Sequence, residues 1–204
     1  MVQGYHDVLI LNALTSDTWR IFTPILAGIP FSAEYTEDIK SKFVRTVLIR
    51  EGYASYLLGH ALTCWLSSGF ALLLGASIAY SLVTLCVLPM EFASQNSQEM
   101  NSAVATQFLI LVLNGGLWAI VGMAMSTIME SKYIAYASPF IIYYLLVILY
   151  ERYLPKAYQI YPPNWIDASV WPFGAWGVAI FLSELTFAFG ILFVTRAGRR
   201  LHEL

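Results

Sequence analysis

Charge is what this chain has least of. Only 12% of its 204 residues are Asp, Glu, Lys or Arg, about half the share of a soluble domain. Eleven Lys and Arg against thirteen Asp and Glu leave a net charge of −2, so there is no basic footprint for nucleic acid. Cysteine is scarce too: Cys64 and Cys86 both sit in apolar stretches and read as small core residues, not a disulfide. Of three histidines, only His60 lies inside an apolar stretch, while His6 and His202 lie near the ends. Haem held between two histidines is therefore not expected, and no H-E-x-x-H or metal-spaced Cys/His group occurs. The G-x-x-x-x-G-K-[ST] phosphate loop is also missing, which excludes ATP hydrolysis by that route. Ser67, Ser68 and His60 share one apolar stretch without an oxyanion-hole motif, so a serine hydrolase is not expected.

Apolar residues are abundant. They make up 58% of the chain, aromatics 15%, and the mean hydropathy is +0.65. A globule of this length cannot hide that much apolar surface from water, so most of it must be solvated by lipid. The fold class expected is an all-α integral membrane protein forming one transmembrane domain over 1–204. A secreted enzyme, a nucleic-acid-binding domain and a disordered regulator are excluded.

Gaps between charges give the organisation. Runs without Asp, Glu, Lys or Arg cover 21–33, 52–90, 100–129 and 133–150, and 168–195 is broken only by Glu184. A helix needs about 20 apolar residues to cross the hydrocarbon core. Five spans are expected, near 18–33, 57–82, 103–128, 133–151 and 174–195. The first is short and holds Pro24 and Pro30. The 52–90 run is too long for one crossing at 1.5 Å per residue, yet it has no turn signal before Pro89, so one long projecting helix fits better than a hairpin. With five spans, eight of the eleven basic residues (Lys40, Lys42, Arg45, Arg50, Lys132, Arg196, Arg199 and Arg200) fall on one side. The positive-inside rule makes that side cytoplasmic, with the N-terminus outside and the C-terminus inside.

The basic segment 34–52 reads as an amphipathic helix. Ile39, Phe43, Val47 and Leu48 share a face, Asp38 and Lys42 form an i,i+4 pair, and acids precede bases along it. It suits a helix lying among headgroups or one docking a soluble partner. The external loop 151–173 holds Pro155, Pro162, Pro163 and Pro172 with Tyr153, Tyr158, Tyr161, Trp165 and Trp171, as expected of an interfacial aromatic belt or of a lid. Glu184 falls near the middle of the last span, where a charge costs at least about 2.5–3.5 kcal/mol on insertion scales. It reads either as a contact in a translocation path, with His60, or as an interhelical hydrogen bond. Small residues at Ala71, Gly75 and Ala79, and at Gly115, Gly116 and Gly122, allow close helix contact within the chain or at a dimer seam.

A short proline-containing span ends at Glu34, a charged amphipathic stretch follows, and Arg50-x-x-Tyr53-x-x-Tyr56-Leu-Leu-Gly-His60 opens a long span. This order resembles the permease subunits of type-2 ABC exporters, the bacterial antibiotic and peptide export or immunity kind. The likeness covers essentially the whole chain. It implies that 34–52, through Glu34, Asp38, Lys42, Phe43, Arg45, Val47, Arg50 and Tyr53, couples to a separate ATP-binding cassette subunit. It also implies a second permease subunit, no cofactor in this chain, ATP and Mg on the partner, and a bacterial plasma membrane. The chain departs from the family by carrying Asp38 where a Gly is usual and His60 where a Lys is commoner. The family has six spans and a cytoplasmic N-terminus, so this chain would supply the last five. The other expectation kept open is a non-transporting scaffold or anchor subunit of a larger membrane complex.

Overall fold

A computed structural model describes residues 5–41, 44, 47, 52–87 and 97–202. The described residues are helical and include no strand. In chain order they form α1 (Tyr5–Leu14), α2 (Asp17–Gly28), α3 (Glu34–Lys40), α4 (Tyr53–Val87), α5 (Ser97–Met129), α6 (Lys132–Arg152) and α7 (Gly174–His202). Three 3-10 turns, Tyr158–Ile160, Pro162–Trp165 and Ala168–Val170, lie between α6 and α7.

Four helices, α4 to α7, are long and apolar enough to cross a membrane. They coincide with four of the expected spans, and the 52–90 run supplies one continuous helix where a hairpin was the alternative. At 1.5 Å per residue, the 35 residues of α4 reach about 52 Å.

The expected span 18–33 takes a different form. Its helix α2 has 12 residues, about 18 Å, too short to cross alone. Ser16 caps its start by accepting from the Trp19 amide, and helix ends at Gly28 before Pro30. The chain then turns at Phe31, in the left-handed region (φ 53°), and re-enters helix at Glu34. Carbonyls exposed by this break find hydroxyls: Ser32 Oγ donates to Gly28 O and Ser68 Oγ to Pro30 O at 3.3 Å. Buried backbone carbonyls need donors, and serines supply them. The segment still runs from one end of the bundle to the other. Near its start Arg20 lies 3.8 Å from Asp167 of the α6–α7 connection, and beyond the break Glu37 pairs with Lys132 at the start of α6.

α5 is the central helix. Every residue from Asn114 to Ala124 is buried, whereas α4, α6 and α7 leave wide apolar faces open, such as Leu58, Leu62, Leu66 and Phe70 along α4. Lipid removes most of the hydrophobic drive for helices to associate, so contact depends on close packing. Glycines provide it. A Cβ on Gly115 would stand 2.7 Å from Leu72 and 3.2 Å from the Ser68 carbonyl, and the Trp65 ring lies against Gly116. A Cβ on Gly122 would meet the Ala135 carbonyl of α6 at 2.5 Å. The Ala71–Gly75–Ala79 repeat does less within the chain, since Ala71 is exposed and Gly75 faces open space.

Candidate functional site

The polar groups of greatest interest gather where α3 lies across one end of the bundle. Seven residues are too few to hold a helix without tertiary support, so the contacts of α3 decide its geometry. Tyr35 is fully buried, its ring edge-on to Phe193 at 5.0 Å, and its hydroxyl donates to the Ala197 carbonyl of α7 at 3.3 Å. Thr36 donates to Ser126 Oγ of α5 at 3.1 Å. Lys132 of α6 donates to Glu37 at 3.1 Å. One oxygen of Asp38, Oδ2, accepts from the Tyr56 hydroxyl of α4 at 3.0 Å and lies 3.2 Å from His60 Nε2. Four consecutive residues thus bind all four long helices, one each. A rigid displacement of α3 acts on every long helix at once.

These ties differ in strength. Asp38 and His60 are roughly a fifth exposed, at 21% and 18%, and a bond to a carboxylate in such a setting is worth about 1.5–3 kcal/mol. Glu37–Lys132 is half in solvent and contributes little. Burial pushes the Tyr35 hydroxyl well above the usual tyrosine range, with nearby Arg200 pulling it back, so the group remains a proton donor.

Of the residues singled out from sequence, Asp38 and His60 come together here. The Asp38 carboxylate faces two side chains of α4, an arrangement that sequence spacing on its own helix cannot reveal; the expected pairing with Lys42 falls outside the described residues. Glu34 is exposed in the first turn of α3, and Tyr53 is exposed at the start of α4. Val47 is half-buried against the cluster around Tyr35, where Val44 is also buried. Lys42, Phe43, Arg45 and Arg50 lie outside the described residues. Tyr35, Thr36 and Ser126 escaped the sequence reading, and Lys132 entered it only as a charge that sets orientation. The signal for them was weak: two uncharged residues amid acids, and partners about ninety positions away.

Glu184 is exposed on the outer side of α7. The bundle interior faces Val178, Leu182 and Phe193 of this helix, all fully buried, which at 100° per residue lie on the opposite side. Among the described residues Glu184 makes no hydrogen bond or ion pair with another helix, and His60 lies against Asp38. The Ser67–Ser68–His60 trio also stays apart: Ser67 donates to the Cys64 carbonyl and Ser68 to Pro30. Cys64 is core as expected, but Cys86 is exposed on α4, and both are free.

At the far end, the α6–α7 connection is a folded cap. Trp165 and Trp171, expected in an interfacial belt, are buried. Their indole N–H groups donate to the Gln159 and Asn164 carbonyls, each at 2.8 Å, and Trp165 stacks on Trp118 at 5.6 Å. Tyr153 alone among the loop's aromatics named above is largely exposed, at 72%. Beneath the cap lies an apolar cavity of about 270 Å³ lined by Trp118, Trp165, Ile142, Leu146 and Phe181. A larger apolar groove, about 560 Å³, runs between α4 and α7 over α5. Near the cap, buried Asp7 accepts from Tyr80 of α4 at 3.0 Å with His6 beside it at 3.4 Å, an acid–tyrosine–histidine group like that of Asp38. Among the described residues no group of three or more His, Cys, Asp or Glu could hold a metal ion. No protein-family model matches the chain, and no curated protein or solved structure matches it.

Proposed function

We propose that this chain is the membrane subunit of an ATP-driven exporter, and that α3 receives motion from a separate ATP-binding subunit. The observation that carries the reading is the joining of α3 to all four long helices through Tyr35, Thr36, Glu37 and Asp38. A lever must be short, reachable from solution and tied to everything it moves. Glu34, Glu37 and Lys40 are its exposed charges, available to set register against a partner. The basic residues Lys40, Lys132, Arg199 and Arg200 lie at this end, which supports its being cytoplasmic in a plasma membrane. Hydrolysis, with its ATP and Mg, belongs to the partner. α2 and the break after it serve as the fifth crossing, and α3 lies beyond them at the cytoplasmic end.

A second reading, a non-transporting scaffold, is favoured by one observation. Between its two ends the described interior is apolar apart from small hydroxyl and amide groups such as Ser68 and Asn114. A permease of this kind must therefore form its path with another subunit. Mass spectrometry of the complex extracted gently from its native membrane separates the two. A stoichiometric partner carrying a phosphate loop is the expected result. Given that partner, Phe43→Asp should abolish transport-coupled ATPase activity while membrane insertion persists. A complex without any ATPase overturns the exporter reading and leaves the scaffold.

A further inference from the structure

Glu184 stands ten residues into the 29-residue α7, close to mid-helix, and faces away from the bundle. A carboxyl group at that depth, facing acyl chains, has nothing to bond to. Some protein must cover it, and its chemistry restricts what that protein is. We propose that the outer face of α7 is the seam between two copies of this chain, with the two Glu184 carboxyl groups bonded to one another. The proposal rests on the reading of α7 as a membrane span and names the second subunit of the assembly proposed above.

Two identical chains inserted in the same sense are related by a twofold axis along the membrane normal. Helices that meet on such an axis place each residue beside its own copy, at equal depth. The residue at the centre of the seam must then be complementary to itself. Most charged side chains fail that condition. A carboxyl that keeps its proton meets it, because it carries one O–H donor and one free acceptor, so two of them satisfy each other. Interhelical bonds of this kind hold spans together where no water competes. The neighbours along the face suit a helix pair: Ile180, Glu184, Ala188, Ile191 and Thr195 are all exposed and recur at spacings of four, four, three and four, the pattern of a helix–helix seam. Ala188 one turn on leaves room for close approach. Ser183 points 100° away around the helix, and its hydroxyl proton is already donated to Ala179 O at 2.7 Å.

The test is disulfide trapping in native membranes of the full chain, with Cys64→Ala and Cys86→Ser removing the natural thiols. A disulfide needs Cα atoms about 4.4–6.8 Å apart, so Glu184→Cys and Ala188→Cys should give an oxidant-dependent band at twice the mass of the chain, and Leu74→Cys on α4 should not. Because Glu184→Cys removes the carboxyl, Ile180→Cys and Ile191→Cys in a Glu184-intact chain serve as independent probes. In the unmodified background, Glu184→Gln should keep the dimer in mild detergent, since an amide also donates and accepts. Glu184→Leu should weaken it at least tenfold. Trapping equal at positions 74 and 184, trapping to a chain of different mass, or a Glu184→Leu dimer as tight as the parent overturns the proposal. None of these outcomes bears on whether an ATPase co-purifies, so the exporter reading stands or falls separately.

Discussion

Removing Asp38 should loosen α3 from α4 by an amount that can be worked from its two contacts. Oδ2 takes both the Tyr56 hydroxyl at 3.0 Å and His60 Nε2 at 3.2 Å. Tyr56 is 5% exposed, so Asp38→Ala leaves its hydroxyl without a partner at a site water scarcely reaches, which costs about 1–3 kcal/mol. Tyr56→Phe removes the donor but leaves the carboxylate with His60 and some solvent, and should cost about 1 kcal/mol. The double variant avoids the orphaned hydroxyl, so its cost should fall short of the sum by about 1–2 kcal/mol, the lower part of the range because Asp38 is partly screened. Cys64 gives the assay. It is 1% exposed and packs in the same cluster as Tyr35 and Tyr56, so reaction of its thiol with a fluorogenic maleimide on heating in mild detergent reports opening of this end, once Cys86→Ser has removed the exposed thiol. Strict additivity of the two substitutions would refute the direct bond. Loss of coupled ATPase activity in Asp38→Ala, with recovery in Asp38→Asn, would connect the bond to the proposed lever.

Two further predictions concern packing and pH. Gly122→Ala sets a methyl 2.5 Å from the Ala135 carbonyl and must part α5 from α6, while Gly75→Ala enters open space. The first should lower the melting midpoint by the equivalent of about 1–3 kcal/mol, the second should leave it unchanged or raise it, and equal midpoints would exclude the close approach. Because burial raises the Tyr35 hydroxyl above its unfolded value, its contribution is complete below about pH 10, where unfolded tyrosine titrates. It declines above that, by up to about 1.4 kcal/mol per pH unit, as the unfolded chain loses the proton first. Tyr35→Phe should flatten that part of the alkaline unfolding curve, and an unaltered slope would show that Tyr35 is not buried.

Charge gaps located α4, α5, α6 and α7 well because lipid imposes one simple condition: a run of about 20 residues without charge. The same condition misjudged 18–33. That stretch is apolar enough, but Pro30, a left-handed Phe31 and the reach of Ser32 and Ser68 to backbone carbonyls break it, and side-chain capping over 38 positions leaves no local trace. The site was half visible. Asp38 stood out as half of an i,i+4 pair with Lys42 and His60 as the one histidine inside an apolar stretch, yet the link between them depends on how α3 folds back on α4. For Trp165 and Trp171 composition left a belt or a lid open, and two backbone carbonyls within seven residues draw both indoles into a cap.

The distribution of polar bonds constrains where this protein can act. Side-chain bonds between elements concentrate at the α3 end, through Asp38, Thr36 and Glu37, and near the cap, through Asp7, Arg20 and Gln107. Between those ends, apart from the Ser68 bond to the Pro30 carbonyl, the described helices meet through glycines and apolar side chains, contacts that slide at small cost compared with breaking a buried hydrogen bond. A bundle pinned at both ends and smooth between them transmits a push on α3 as tilting of whole helices, without opening its own centre. The surface that must change is then the outside of the bundle, and the one carboxyl group on that outside near mid-helix among the described residues is Glu184. If α3 moves as proposed, the proposed contact across α7 is where that motion would be expressed.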